Sequence, residues 1–258
     1  MSTQIWGSLL DAFEIHKGEV VALVGGGGKT TTMFAIAYEA ANLGYKVILT
    51  TTTRIFAPAP TPKIDTVLQP NMNVLGSAVK NSFKTCSIVV AGFGLTSDRK
   101  IIGVDQDSTD LLLETGADIV LVEADGANRK PFKAPRVDEP VIPKLTTLVI
   151  PVVGVDCLHK PLNKENVHRP EVVSRLTGAR DNELVNPAMV ATVLLHPDGY
   201  RKNIPEDTRW TPFINKVQLP EELSQAREIA AVLGRGGAKR VIIGAARESV
   251  PVMEVLSF

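Results

Sequence analysis

The chain has 258 residues, 44% hydrophobic and 22% charged, enough to bury the core of one large domain. Its 28 Lys and Arg balance 28 Asp and Glu, so no global field directs it to nucleic acid or to an anionic membrane. The two cysteines, Cys86 and Cys157, form no C-x-x-C and suit a reducing cytoplasm, and the longest apolar runs fall far short of the roughly 18–20 residues that cross a bilayer.

In chain order, Asp11 and Glu14 interrupt the first apolar stretch, which therefore does not read as a signal peptide. Residues 20–24 are a continuous β-branched and apolar run, as expected of a strand buried on both faces. Glycines follow at once, and then residues 30–43 read as a helix. Met33, Ile36, Ala37 and Ala40 form its apolar stripe, and Gly44 stands at its C-terminal stop. A strand at 47–49 completes a βαβ unit. Further strands are expected at 87–91, 119–122, 147–153, 211–214 and 240–243. Helices are expected at 108–113, 170–176, 187–195 and 220–233, the last three with proline in the first turn. Proline-rich stretches 56–70 and 125–144 read as long loops of the kind that carry function. The alternation predicts an α/β fold, a mainly parallel sheet flanked by helices, in one domain with a partly helical insert at about 156–207.

Gly25, Gly26, Gly27, Gly28, Lys29, Thr30 and Thr31 sit where the first strand gives way to the first long helix. Glycines let backbone N–H groups approach a polyanion, the helix N-terminus adds partial positive charge, lysine adds a full one, and a threonine hydroxyl suits Mg²⁺. The first glycine of the usual G-x-x-x-x-G-K-[ST] pattern would fall at Leu23, so the loop is shorter than usual. It resembles the compact loop of the Mur ligases and the loops of dimeric, metal-chaperone-like NTPases. The nucleotide is ATP or GTP, and the sequence leaves that choice open.

Glu123 and Asp125 end the apolar run 119–122 on the same side of an extended strand. Together with Thr30 they are the candidate Mg²⁺ ligands, and with Lys29 they are the candidate catalytic residues. Residues 50–53, all threonine, and Arg54 follow the second strand, where ligands of open α/β sheets bind. Hydroxyls there suit phosphate or Mg²⁺, and equally suit plain strand extension. Asn215 and Lys216, with Gln218, follow a late strand and are the candidate base-binding residues, facing the small-residue turn Gly244, Ala245 and Ala246. GTP-binding domains carry Asn-Lys-x-Asp there. Gln218 in place of Asp mispairs one guanine donor, at a cost of about 1–3 kcal/mol.

The combination resembles the YqeC-type accessory proteins of selenium-dependent molybdenum hydroxylases. The resemblance rests on residues 24–31, 50–53, 122–126 and 132–135, extended by 139–143, 168–170, 176–178 and Asn215-Lys216. It implies a phosphate-loop NTPase-like protein with Mg²⁺ and a nucleotide, partnered by a molybdenum hydroxylase or its maturation factors. Arg54 stands where such proteins often carry His, and Gln218 where Asp is common. Lys133 and Arg136 read either as an anion-binding pair for a second ligand or as solvated surface charge. His16, His159, His168 and His196 form no zinc-type spacing. Cys86 reads as a core thiol, Cys157 as structural or as a contact in a selenium context, and Trp6 and Trp210 as packing residues. Asp156 follows a parallel strand and faces the nucleotide on this reading.

Three functions follow. The first is a Mg²⁺-dependent NTPase that assists maturation of a selenium-dependent molybdenum hydroxylase. The second is an ATP-dependent ligase or kinase acting on a small molecule. The third is a nucleotide-gated adaptor without hydrolysis.

Overall fold

The computed structural model describes residues 7–59 and 61–258, which leaves Trp6 and Pro60 outside the described residues. The helices are α1 (Leu9–Ala12), α2 (Lys29–Asn42), α3 (Met72–Ser82), α4 (Gln106–Asp110), α5 (Pro170–Thr177), α6 (Pro187–Leu195) and α7 (Pro220–Arg235). The main sheet contains β1 (Glu19–Gly25), β2 (Val47–Thr51), β3 (Ile64–Leu68), β4 (Ile88–Gly92), β5 (Ile119–Glu123), β6 (Thr146–Gly154), β7 (Phe213–Asn215), β8 (Arg240–Gly244) and β9 (Val252–Ser257). Their order is β9-β8-β7-β6-β1-β5-β2-β4-β3, with Arg209–Trp210 pairing beside β6. All are parallel except β9, which runs antiparallel to β8.

The side-chain period of two divides β1 between the two faces of the sheet. Val21 and Leu23 pack with Leu49, Leu121, Met33 and Ile36 under α2. Ala22 and Val24 face the opposite way, with Val153, Val190, Leu194 and Ile229 under α6 and α7. Val20, Ile48 and Val120 meet Leu75 and Val79 of α3. Each fully buried aliphatic side chain contributes about 1.5–3 kcal/mol. Covering both faces is what makes the runs continuously apolar instead of alternating.

The mainly parallel α/β architecture agrees with the sequence reading. The stretch 156–207 supplies α5 and α6, and its Val173, Val190 and Leu194 share a core with Val153 and Ile243. Several details differ. The loop read at 56–70 contains β3, and α3 follows it, capped by Asn71, whose side-chain Oδ1 accepts from the Val74 N–H. A small antiparallel sheet joins Arg54–Phe56, Lys100–Ile102 and Gly94–Leu95. The helix read at 108–113 is instead α4 followed by a 3-10 turn at Leu113–Thr115, because Asp105 caps a helix that starts earlier. Cys86 is half-buried just ahead of β4. Trp210 is buried, and its indole N–H donates to Tyr200 O (3.0 Å).

Candidate functional site

The glycine run leaves β1 and turns into α2 between two other segments. Gly25 and Gly27 adopt φ of +94° and +74°, a region that favours glycine. A Cβ on Gly25 would lie 2.3 Å from Val152 O, and one on Gly27 2.0 Å from Gly154 N, so β6 excludes side chains at both positions. Their amides also point inward. Gly25 N–H donates to Asp125 Oδ1 (3.1 Å), Gly26 N–H to Val152 O (2.9 Å) and Gly27 N–H to Lys130 O (2.9 Å). The first three glycines therefore lock the loop to its neighbours, contrary to the expectation that their amides face an anion. The N–H groups of Gly28, Lys29, Thr30 and Thr31 make no hydrogen bond among the described residues, as the first turn of a helix requires. These four residues line the cleft.

Below the loop lies a buried ionic network. The Lys29 ammonium donates to Gly25 O (2.7 Å) and sits 3.2 Å from Asp125 Oδ1 and 3.5 Å from Glu123 Oε1. Burial opposes its charge, but Asp125 and Glu123 override burial and hold the ammonium above the ordinary lysine value. Asp125 is fully enclosed and also accepts from Lys133 Nζ (2.8 Å) and from the Tyr200 hydroxyl (2.9 Å). Burial would raise its pKa, and Lys133 and Lys29 together hold it below the usual carboxylate range. Every lone-pair direction of Asp125 thus points at a protein donor. Glu123 differs: its Oε2 accepts from Thr30 Oγ1 (2.6 Å), and it lines the cleft, which Asp125 does not.

Lys133 continues the network to Glu139 Oε2 (3.0 Å) and Gly126 O (2.6 Å), and Arg169 closes on the same Glu139 carboxylate. Burial would raise the Glu139 pKa, but the Arg169 hydrogen bond and Lys133 lower it. The anion-binding expectation for Lys133 is corrected here, because the side chain is fully buried and its ammonium is saturated by protein oxygens. Arg136 is exposed and bonds to Asp138 (3.0 Å).

On the other side of the loop, Asn215 Nδ2 donates to Gly27 O (2.8 Å) and its Oδ1 accepts from Ala246 N–H (2.9 Å). The side chain is spent joining two loops. Lys216 lines the cleft with its ammonium on Asp156 Oδ2 (2.8 Å), and Gln218 donates to Glu248 Oε1 (2.6 Å) at the mouth. Asp156 Oδ1 is buried with no hydrogen-bond partner among the described residues. The threonines at the end of β2 and just after it are spent within the structure: Thr50 Oγ1 donates to Ala91 O, Thr51 Oγ1 to Glu123 O and Thr52 Oγ1 to Val141 O. Burial, and then Asp156, push the Cys157 thiol far up, which leaves it unreactive.

Together these segments line a cleft of about 1130 Å³. Lys29, Arg54, Lys100, Arg129, Lys130, Arg169, Lys216 and Arg247 reach it, against the single carboxylate of Glu123. A chain with no net charge thus concentrates cations at one place, which raises the local concentration of polyanions. His168 also lines it. Burial and the neighbouring Arg169 push its pKa down to about 4, so the imidazole is neutral at pH 7.

Residues 21–171 match the family model described as YqeC protein, a span that runs from β1 through the glycine loop, Glu123, Lys133 and Arg169. The chain belongs to the YqeC family. The protein YqeC of Escherichia coli (strain K12) is similar to it, with 29% identity over 234 residues, 89% of this chain and 88% of that one. Two solved structures show weaker likenesses. FtsY from Mycoplasma mycoides gives a TM-score of 0.43 at 13% identity, over 95% of this chain and 65% of FtsY. The MinD cell division protein of Aquifex aeolicus gives 0.43 at 15%, over 88% and 82%. The family match ends before Tyr200 and Asn215, two residues that tie later segments to the loop. Sequence spacing carried no signal for Tyr200, which lies 75 residues from the Asp125 it meets.

Proposed function

We propose that this protein binds a Mg²⁺–nucleoside triphosphate in the cleft and hydrolyses it, in the service of maturing a selenium-dependent molybdenum hydroxylase in the cytoplasm. The observation that carries the nucleotide reading is the set of four unbonded amides at residues 28–31 beside Lys29 and the Thr30–Glu123 pair. The amides and the helix N-terminus hold phosphate oxygens. The Lys29 ammonium, now resting on carboxylates, turns to the β- and γ-phosphates and neutralises charge there.

The donor set at the floor fits Mg²⁺: a hydroxyl and a carboxylate in contact, both hard oxygens. Thr30 and Glu123 would hold the ion, which offsets phosphate charge when bound. Asp125 keeps a different role, orienting Gly25 and Lys29 from below. Lys216 and the turn at Ala245–Ala246 border the base, with Asn215 fixing the distance between them and the loop. The hydroxylase role rests on the family and on the motif segments at 122–126 and 132–135.

Calorimetric titration of ATP and GTP with Mg²⁺ tests the reading. Lys29→Ala should weaken the preferred nucleotide at least tenfold with its circular dichroism retained. Glu123→Gln should keep the metal-free affinity and lose the enhancement by Mg²⁺. Equal affinity in Lys29→Ala and wild type would remove the site.

A further inference from the structure

The cleft extends past the phosphate loop on the side away from the base. In the sheet, Lys216 and the 245–247 turn follow β7 and β8 on one side of β1, whereas Arg54 follows β2 on the other, with β5 between. A nucleotide gripped at residues 28–31 with its base near Lys216 runs away from Arg54. The wall over β5 and β2 therefore lies beyond the terminal phosphate.

That wall has its own construction. In Arg54–Phe56 the burial alternates, with Ile55 inward and Arg54 and Phe56 outward. Lys100 stands opposite Phe56 in the antiparallel pair, its ammonium 5.1 Å from the ring centroid. Arg129 arrives from the segment after β5, its guanidinium 4.7 Å from the same ring. Cations over an exposed aromatic face are held in place without having their charge cancelled. Asn128 and Arg129 both adopt positive φ, 47° and 59°, a conformation that costs energy and clusters at ligand clamps. Neither Arg54 nor Arg129 has a carboxylate partner among the described residues, while Lys100 shares the exposed Asp98. The Arg129 segment is also bonded to the phosphate loop, through Gly27 N–H and Lys130 O (2.9 Å).

We infer that Arg54, Phe56, Lys100 and Arg129 bind a second, phosphate-bearing small molecule beside the terminal phosphate of the nucleotide. This rests on the nucleotide reading of the adjoining site. Two guanidinium forks without a carboxylate partner among the described residues suit a phosphate dianion in hydrogen-bonding pattern and charge, and Lys100, shared with Asp98, adds to the positive side of the wall.

Pyrophosphate, with Mg²⁺ in excess, is the probe. It is titrated by calorimetry into protein saturated with the imidotriphosphate analogue of whichever nucleotide binds. One further equivalent should bind, and the Arg54→Ala/Arg129→Ala double variant should weaken it at least tenfold while nucleotide affinity stays within twofold. Lys29→Ala should lose nucleotide and keep this pyrophosphate site. No binding beyond the nucleotide, or equal pyrophosphate affinity in the double variant, would overturn the inference. Should no nucleotide bind, the nucleotide reading fails by itself, and titration of the free protein still shows whether pyrophosphate depends on Arg54 and Arg129.

Discussion

Behind the glycine loop and in front of it, the molecule treats positive charge in opposite ways. Behind it, Lys29, Lys133 and Arg169 alternate with Glu123, Asp125 and Glu139, and every head group meets an opposite charge at hydrogen-bonding range. In front, Arg54, Arg129 and Arg247 face the cleft with no carboxylate partner among the described residues. A buried charge must be compensated by protein, because water cannot reach it. An exposed one needs no partner and remains available to a ligand. The network shapes the loop, and the open wall is free to recognise what arrives.

The largest effect should come from breaking the buried side. Lys133→Met should lower unfolding free energy by about 3 kcal/mol in urea titration, since it takes one cationic partner from each of two buried carboxylates, leaving Asp125 with Lys29 and Glu139 with Arg169. Adding Asp125→Asn should restore part of the loss in a double-mutant cycle. A cost below about 1 kcal/mol would mean that the network is no more than surface charge.

His168 stands between the two regions and gives an intermediate effect. Its folded pKa, about 4, lies below the ordinary value of 6.5. Below pH 6.5 the unfolded chain takes up the proton more readily, so the neutral imidazole's contribution is full above pH 6.5 and is lost as pH falls toward 4. Midpoints of urea unfolding between pH 7 and 4.5 should therefore decline. His168→Gln should flatten that slope, and an unaltered slope would place the titration elsewhere. Asp125 and Glu139 are depressed carboxylates whose contribution is lost only at still lower pH, as pH falls through their folded values.

The smallest effect on stability sharpens the contrast. Arg54→Ala and Arg129→Ala should each change unfolding free energy by within about 0.5 kcal/mol, as surface substitutions do. A loss of more than about 2 kcal/mol in either would make the wall structural and erase the distinction between the two sides.

Much of the local placement was legible along the chain. Strand β1, the glycine run and α2 are contiguous, and their periodicities are local, so Lys29 and Thr30 could be placed at a helix N-terminus from spacing alone. Glu123 followed from an apolar run that ends in an acid. The small sheet at Arg54–Phe56 was missed because its strands of two and three residues show too little alternation to register as a pattern. Lys133 read as an anion-binding or a solvated charge because a lysine in a proline-rich loop gives no sign of burial.

The sequence by itself determined the α/β class, the place of the glycine loop and the family, since these depend on side-chain order within a few turns or strands. Tertiary structure alone decided which charges are paired. Asp125 meets Tyr200 and Lys133, and Gly27 meets Asn215, across separations that no local periodicity encodes. Whether a carboxylate or an amide is free for a ligand depends on which distant donors and acceptors the packed sheet brings within about 3 Å of it.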